Sequence, residues 1–418
     1  MNTKQHYIAL YSQNEAQICQ HTPAVLNAPR AEALAAFEQK GFPRKGEEDY
    51  LHTNMAQAFA AVSAVSAFQS PVPLLQEPSS SAEAFVGSLV EFAQAHPDIA
   101  ARYYGKAALA ERDCIAALNT LFVQDGFVVY VPKGVSIEEP IQLVNHFAGK
   151  TDSVSHRRTL VILEAEAEAR LIVGDRGEDG AKHFSTQVVE IIAEEGARFE
   201  YYDLEESTAS CTRFSSVFVH QAANSNVLVN ATTLTNGQTR NNFYVDLLGE
   251  YSEATLCGMA IEDKEQKVDT FSVITHHLPH CTSHELFKNV LDDAAFGAFS
   301  GKILVKEGAD KTEAYQTNRN LCATDRCHMY SKPQLEIYAD DVRCSHGMTT
   351  GQLDDNALFY LRSRGISEDE ARMMLSIAFT AEVTDLVRID AHREHLYHLV
   401  DKRLRDRLPS PVRTASEA

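Results

Sequence analysis

Between about residue 118 and residue 350, runs of β-branched and apolar residues alternate with small polar turns. Phe127-Val128-Val129-Tyr130-Val131, Thr159-Leu160-Val161-Ile162-Leu163 and Val188-Val189-Glu190-Ile191-Ile192 have the length and composition of strands. One join recurs: a small polar turn, then Ala or Asn, then an extended run. It falls at Ala169, Ala197, Asn226 and Ala254, a near-constant step. No helical pattern of similar length separates the strands, which argues against alternating βαβ units. A near-constant step with strand content predicts a mainly β protein whose core is a β-helix or related stacked-strand solenoid. The competing reading is a large β-sandwich with accidental spacing.

Helical periodicity flanks this core. Ala31 to Phe37 is rich in helix formers, and Gly41-Phe42-Pro43 stops it. Ser70 to Ser81 holds three prolines and four serines and reads as a loop, after which Ala82 to Ala95 resumes a helical pattern ended by Pro97. Beyond Gly351, Asp354-Asp355-Asn356 offers N-caps for a short helix over Ala357–Arg364, closed by Gly365. Ser367 and Glu370 form a capping box, with Ile366 and Ala371 as a weak staple, for a helix carrying Met374, Leu375, Ala378, Phe379 and Leu386. A last helix aligns Leu396, Leu399, Val400, Leu404 and Leu408 on one stripe. These helices are read both as a cap closing one end of the solenoid and as a docking surface. The regions are therefore 1–117 helical, 118–350 solenoid and 351–418 helical.

Charge narrows the partners. Lys and Arg number 38 against 58 Asp and Glu, a net charge of −20 on 418 residues. Such a surface repels phosphate backbones and anionic lipids, so nucleic acid and membrane are excluded as partners. No basic segment followed by an apolar run opens the chain, and no stretch approaches the roughly 20 apolar residues of a membrane span; the expected location is cytoplasmic. Eight cysteines in a chain of this length are not a disulfide framework. They are free thiols, metal ligands or sulfur carriers, most of them core thiols.

Several constellations carry candidate chemistry. Gly149-Lys150-Thr151 imitates the end of a phosphate-binding loop, but Val144 stands where the first glycine is needed, so this chain is expected to bind no nucleotide. His276, His277, His280, Cys281 and His284 are crowded, yet neighbours in a strand or turn point apart, and structural roles are favoured. Cys344 and His346 are two apart, which in a strand puts both on one face, about 7 Å apart. A thiolate and an imidazole so placed can share a metal or sulfur species. Arg343 lies near enough to favour the thiolate, and Gly347 can relax the backbone. Cys322 and Cys327 would extend the pair to a C-x4-C-x16-C-x-H set, suited to structural zinc if the chain brought the halves together. The competing reading of Cys344 and His346 is a strand edge with ordinary polar residues. Gln316-Thr317-Asn318-Arg319-Asn320 reads as an amide ladder along stacked coils. No G-x-S-x-G elbow or H-E-x-x-H pair occurs, and no catalytic residue is assigned.

Four further motifs stand between Pro279 and Asp385: Pro279-His280-Cys281-Thr282-Ser283, EAYQTNRNL from Glu313, KPQLEIYADDVRCSHG from Lys332 and LFYLRSRGI from Leu358. In series they resemble the signatures of the SufB/SufD family of iron–sulfur cluster assembly proteins. Weaker similarity covers Phe42-Pro43-Arg44 to Asp49-Tyr50 and LNTLFVQDGFVVYVPKGV from Leu118. The form of the Cys344–His346 segment is that of the SufD branch. The resemblance implies a right-handed parallel β-helix between helical regions and a non-enzymatic scaffold role. It implies a SufB–SufD heterodimer joined through the ends of the two β-helices, and an ATPase, SufC, held by the C-terminal helices. Carried over, the SufC surface comprises Leu358, Phe359, Tyr360, Leu361, Arg364, Met374 and Phe379. His346 becomes the ligand or proton handler for a transient iron–sulfur cluster at the interface with SufB, with Cys344 beside it; the sulfur-accepting cysteine is expected on SufB. The run from Asn320 to Pro333, NLCATDRCHMYSKP, departs from the family's usual NLLLSDDAEVDTKP, so Cys322, Cys327 and His328 carry no family role. Whether the isolated chain is a homodimer stays open. Two rivals are weighed against the scaffold. A polysaccharide-acting solenoid enzyme is disfavoured by the lack of tryptophan and signal peptide. A zinc-stabilised structural β-solenoid would use Cys322, Cys327, Cys344 and His346.

Overall fold

The computed structural model describes residues 2–44, 46–62, 73–76, 84–147, 152–178, 180 and 182–406. The N-terminal elements are α1 (Thr3–Gln20), α2 (Ala24–Asn27), α3 (Arg30–Lys40), α4 (Met55–Val62), β1 (Pro73–Gln76), β2 (Phe85–Ser88), α5 (Leu89–Ala95), α6 (Pro97–Tyr103) and α7 (Cys114–Phe122). The core begins with β3 (Phe127–Val131), β4 (Ile141–Phe147), β5 (Ser153–Leu163), β6 (Glu168–Gly177), β7 (His183–Ala193), β8 (Arg198–Glu206), β9 (Cys211–Gln221) and β10 (Asn226–Thr235). It continues with β11 (Gln238–Leu247), β12 (Glu253–Glu262), β13 (Lys267–His276), β14 (Thr282–Leu291), β15 (Phe296–Val305), β16 (Glu313–Cys322), β17 (His328–Ile337) and β18 (Arg343–Gly351). Helices α8 (Asp355–Ser363), α9 (Glu368–Thr384) and α10 (Asp390–Arg405) follow.

Odd- and even-numbered core strands separate into two nine-stranded sheets, each carrying one N-terminal strand at its edge. Every core pairing is parallel, while β1 pairs antiparallel with β4 and β2 with β3. The core is thus a parallel β-solenoid, as the recurring step predicted. Glu168, Arg198, Asn226, Glu253, Thr282, Glu313 and Arg343 stand in one register, one per coil, at nearly even spacing along the chain. The repeat is real, but Ala169 opposes Phe199 rather than Ala197. The corners explain the recurring polar join. Glu166, Gly196, Asn224, Tyr251, His280 and Lys311, one per coil, take left-handed φ between 59° and 71°. Such a conformation favours Gly and Asn and disfavours β-branched residues.

Between the sheets lies a core of Val, Ile, Leu, Ala and Phe from both inner faces. The outer faces are covered too, which accounts for strands buried on both sides, such as β5 and β7. The odd-numbered sheet is covered by the N-terminal helices, where Tyr7, Phe37 and Phe59 pack against Phe184, Phe214 and Phe271. The even-numbered sheet is covered by the C-terminal helices, where Met373, Val383, Leu396 and Val400 meet Tyr202, Leu228, Met259 and Ile261.

Local expectations hold at several points. Gly41 ends α3 at a φ of 66°, Asp354 caps α8, and the Ser367 hydroxyl accepts from the Glu370 N–H. Four are corrected. Pro73–Gln76 is a strand, not loop, because its backbone pairs with β4; the rest of the loop expected over residues 70–81 lies outside the described residues. Phe85–Ser88 is a strand preceding α5, paired with β3, so tertiary pairing overrides the alanine-rich helical pattern of 82–95. Pro97 opens α6. The C-terminal helices lie along a sheet face and leave the end of the solenoid uncovered. Residues 149–151 and Leu408 lie outside the described residues. Helix α7 runs across residues 117 and 118, and β1 and β2 join the core sheets.

Candidate functional site at the open end of the solenoid

A solenoid coil buries its inner face only when another coil stacks on it. At the first end β1 and β2 supply extra edge strands. At the other end β17 and β18 are the last strands, and nearly all of β18 is exposed. Ile337, Tyr338 and Met348 stand exposed there, Ile337 directly above buried Val305 and Met348 above buried Asn318.

Both predicted ligand residues sit in this last coil. Opposed residues of an in-register parallel pair point the same way, so Cys344 continues the inner column of Val227, Ala254, Ser283 and Ala314. It is half-buried and packs against the core. Burial pushes its thiol above the ordinary value, offset in part by the Ala314 backbone hydrogen bond. The expectation that Arg343 favours a thiolate is therefore corrected; Arg343 instead faces Glu313, 3.3 Å away. His346 is exposed and stands above Gln316 and, one coil further in, Glu285. The Gln316 amide donates to Glu285 at 2.6 Å and the Ser272 hydroxyl donates to the other carboxylate oxygen at 2.5 Å. Burial raises the Glu285 carboxyl to about 7, against these two bonds. No Cβ contact crowds Gly347.

The amide ladder is present. Asn289 donates to Asn320 at 2.7 Å, Asn320 to Asn318 at 2.6 Å, and Ser331 on the other sheet to Asn318 at 2.7 Å. The four-ligand zinc set is not. Cys344 opposes Ala314, whereas Cys322 lies at the far end of the same strand. The strand between Ala314 and Cys322 spans about 26 Å at about 3.3 Å per residue. Cys322 and Cys327 contact each other at the opposite corner, where burial holds the Cys322 thiol up at about 12. Among the described residues no three His, Cys, Asp or Glu side chains converge as a metal cage. The histidine cluster also disperses: His276 bonds Ser283, His277 bonds Asp246, and His280 and His284 stack on Tyr251 and Tyr315. Cys281 is buried on the Gly249 carbonyl.

The expected docking residues divide. Phe359 and Tyr360 are 73% and 57% exposed, and Met374 and Arg364 are exposed beside them. Leu361 is half-buried. Leu358 is buried, and Phe379 is half-buried against the sheet. Sequence reading did not find the link between this region and the coils. Buried Lys288 of β14 donates to the Phe379 carbonyl at 2.7 Å and pairs with Glu382 of α9, which also meets Arg319 of β16. It also missed Glu285, whose position one coil before Gln316 was the available signal.

Comparison with known proteins agrees with this architecture. Residues 146–379 match the model of the SUF system SufBD core domain, and residues 1–74 and 68–143 match that of the SufBD N-terminal region. The iron–sulfur cluster assembly protein SufD of Escherichia coli K12 is 32% identical over 279 residues, 66% of each chain. A SufBD family protein of Synechocystis, slr0076, is 29% identical over 68% of this chain and 65% of its own length. The chloroplastic protein ABCI7 of Arabidopsis thaliana is 30% identical over 65% of this chain and 59% of its own. The aligned stretch thus spans about two thirds or less of each relative. No helix among the described residues is long and apolar enough to cross a membrane. The core match covers more than half of the chain and includes the coils that carry Cys344 and His346, so this chain belongs to the SufBD family of iron–sulfur cluster assembly proteins, as a member of the SufD type.

Proposed function

We propose that this chain is the scaffold subunit of a SufB–SufC–SufD assembly, with no turnover of its own. The carrying observation is the uncovered last coil. Two edges left unpaired by the described residues, β17 and β18, flank an exposed inner face that holds Cys344 and His346. Exposed edges invite strand pairing with another chain, and the end of a second solenoid, that of SufB, fits both edges at once. A nascent iron–sulfur cluster is then the cargo of the joined ends. His346 serves it as ligand or proton handler; Cys344 is a second donor once deprotonated. Phe359 and Tyr360 form the surface for SufC, which binds the ATP that drives the cycle. Closure of two SufC subunits would pull on α8 and α9, and the Lys288–Glu382–Arg319 contacts carry that pull to β14 and β16, beneath the last coil.

Co-expression with SufB and SufC from the same source, followed by native mass spectrometry, tests the reading. One copy of this chain, one SufB and two SufC are expected. A chain that purifies alone, or only with itself, would overturn it.

A further inference from the structure

Directly beneath His346 stands a buried hydrogen-bond acceptor with no partner. Gln316 is 1% exposed, and its Oε1 is sealed from solvent and unbonded. Its amide nitrogen is committed inward, donating to Glu285, whose other oxygen is held by Ser272. Above about pH 7 the Glu285 carboxylate is ionised and only accepts, so the nitrogen end of the amide is the end that faces it. Space for this arrangement comes from Gly301 on the facing sheet, where a Cβ would lie 2.5 Å from Gln316 Nε2 and 2.6 Å from the Phe299 ring. The residue opposite Gly301 in the last coil of that sheet is Pro333, which has no backbone N–H to offer. In the last coil of its own sheet, the residue opposite Gln316 is His346, one strand spacing of about 4.8 Å away.

We infer that Gln316 is the positioning residue for His346: its amide oxygen accepts the N–H of one ring nitrogen and so aims the other, with its free lone pair, out of the open end. A histidine that ligates with one nitrogen is commonly fixed by an acceptor on the other. Here the column Ser272–Glu285–Gln316 sets which nitrogen that is. The inference rests on the proposed role of His346 in handling the cargo, but it concerns the free chain.

The test is nuclear magnetic resonance of the isolated chain with isotope-labelled histidine nitrogens, at about pH 8.5. His346→Asn identifies the signals. One neutral tautomer is expected to dominate at His346. Gln316→Leu should shift the tautomer ratio by about fivefold or more, the worth of one hydrogen bond. Gln316→Met, which keeps the length of the side chain, should do the same and serves if the leucine variant does not fold. An unchanged ratio in either folded variant would overturn the inference. Failure to bind SufB would leave the ratio untouched, so the assembly reading and this one fail separately.

Discussion

Glu285 shows how one residue in a column couples burial to pH. Its carboxyl is raised to about 7 because burial penalises the charge; in the unfolded chain it titrates near about 4.3. Between those values the folded state holds the proton more tightly, so this group's contribution to stability falls as pH rises from about 4.3 to about 7 and is constant above. Glu285→Gln keeps the size and removes the charge. It is expected to raise the stability at pH 8, by at most about 4 kcal/mol, and to change little at pH 4; thermal melts across this range would show the difference, and parallel curves would contradict it. Cys344 gives a second pH-dependent readout. Its raised thiol should alkylate slowly at pH 7, with a rate still rising where an ordinary thiol has levelled off, followed by mass spectrometry of its peptide. Fast labelling at neutral pH would mean a thiolate that the burial argument does not allow. Cys344 and His346 were legible because a spacing of two in a strand fixes a common face. Glu285 lies two coils before His346, and the coils differ in length. The step from Asn226 to Glu253 is shorter than that from Thr282 to Glu313, which blurs any count made without the register.

Among the elements, strands apolar on both faces were readable from their β-branched runs, and helix caps such as Asp354 and Ser367 from their side chains. Segments that depend on a partner strand were not. Phe85–Ser88 lies inside an alanine-rich stretch, and only pairing with β3 makes it extended. Helix α8 shows a related limit within one turn: the family resemblance put Leu358 and Phe359 on one docking surface, yet one is buried and the other exposed. Their substitutions should separate cleanly. Phe359→Asp should alter stability by no more than about 0.5 kcal/mol, as exposed changes do, and abolish co-purification of SufC. Leu358→Asp should cost about 3 kcal/mol or more by burying an unpaired charge, read as a lower melting temperature. If Phe359→Asp retained SufC, the docking surface would lie elsewhere.

At the scale of the whole molecule, the two helical regions cover the two outer faces of the solenoid and β1 and β2 extend one end, which leaves one end bare. Sequence periodicity announced the coils but could not place the helices, because an amphipathic stripe says that a helix packs without saying on which surface. The bare end makes the last prediction. Ile337 and Met348 stand in inner columns, above Val305 and Asn318, with none of the described residues stacked on them. In a free chain they touch water, so Ile337→Lys with Met348→Lys should leave its melting temperature nearly unchanged. In a joined assembly the same positions would be sealed between two solenoids, where a pair of unpaired ammonium groups costs several kcal/mol. The double variant should therefore lose SufB while keeping SufC, as pull-down and native mass spectrometry would record. If the isolated wild-type chain self-associates through this end, sedimentation should show the variant as a monomer. Retention of SufB at wild-type affinity would place the interface away from the last coil, and with it the reason for assigning the cargo to His346.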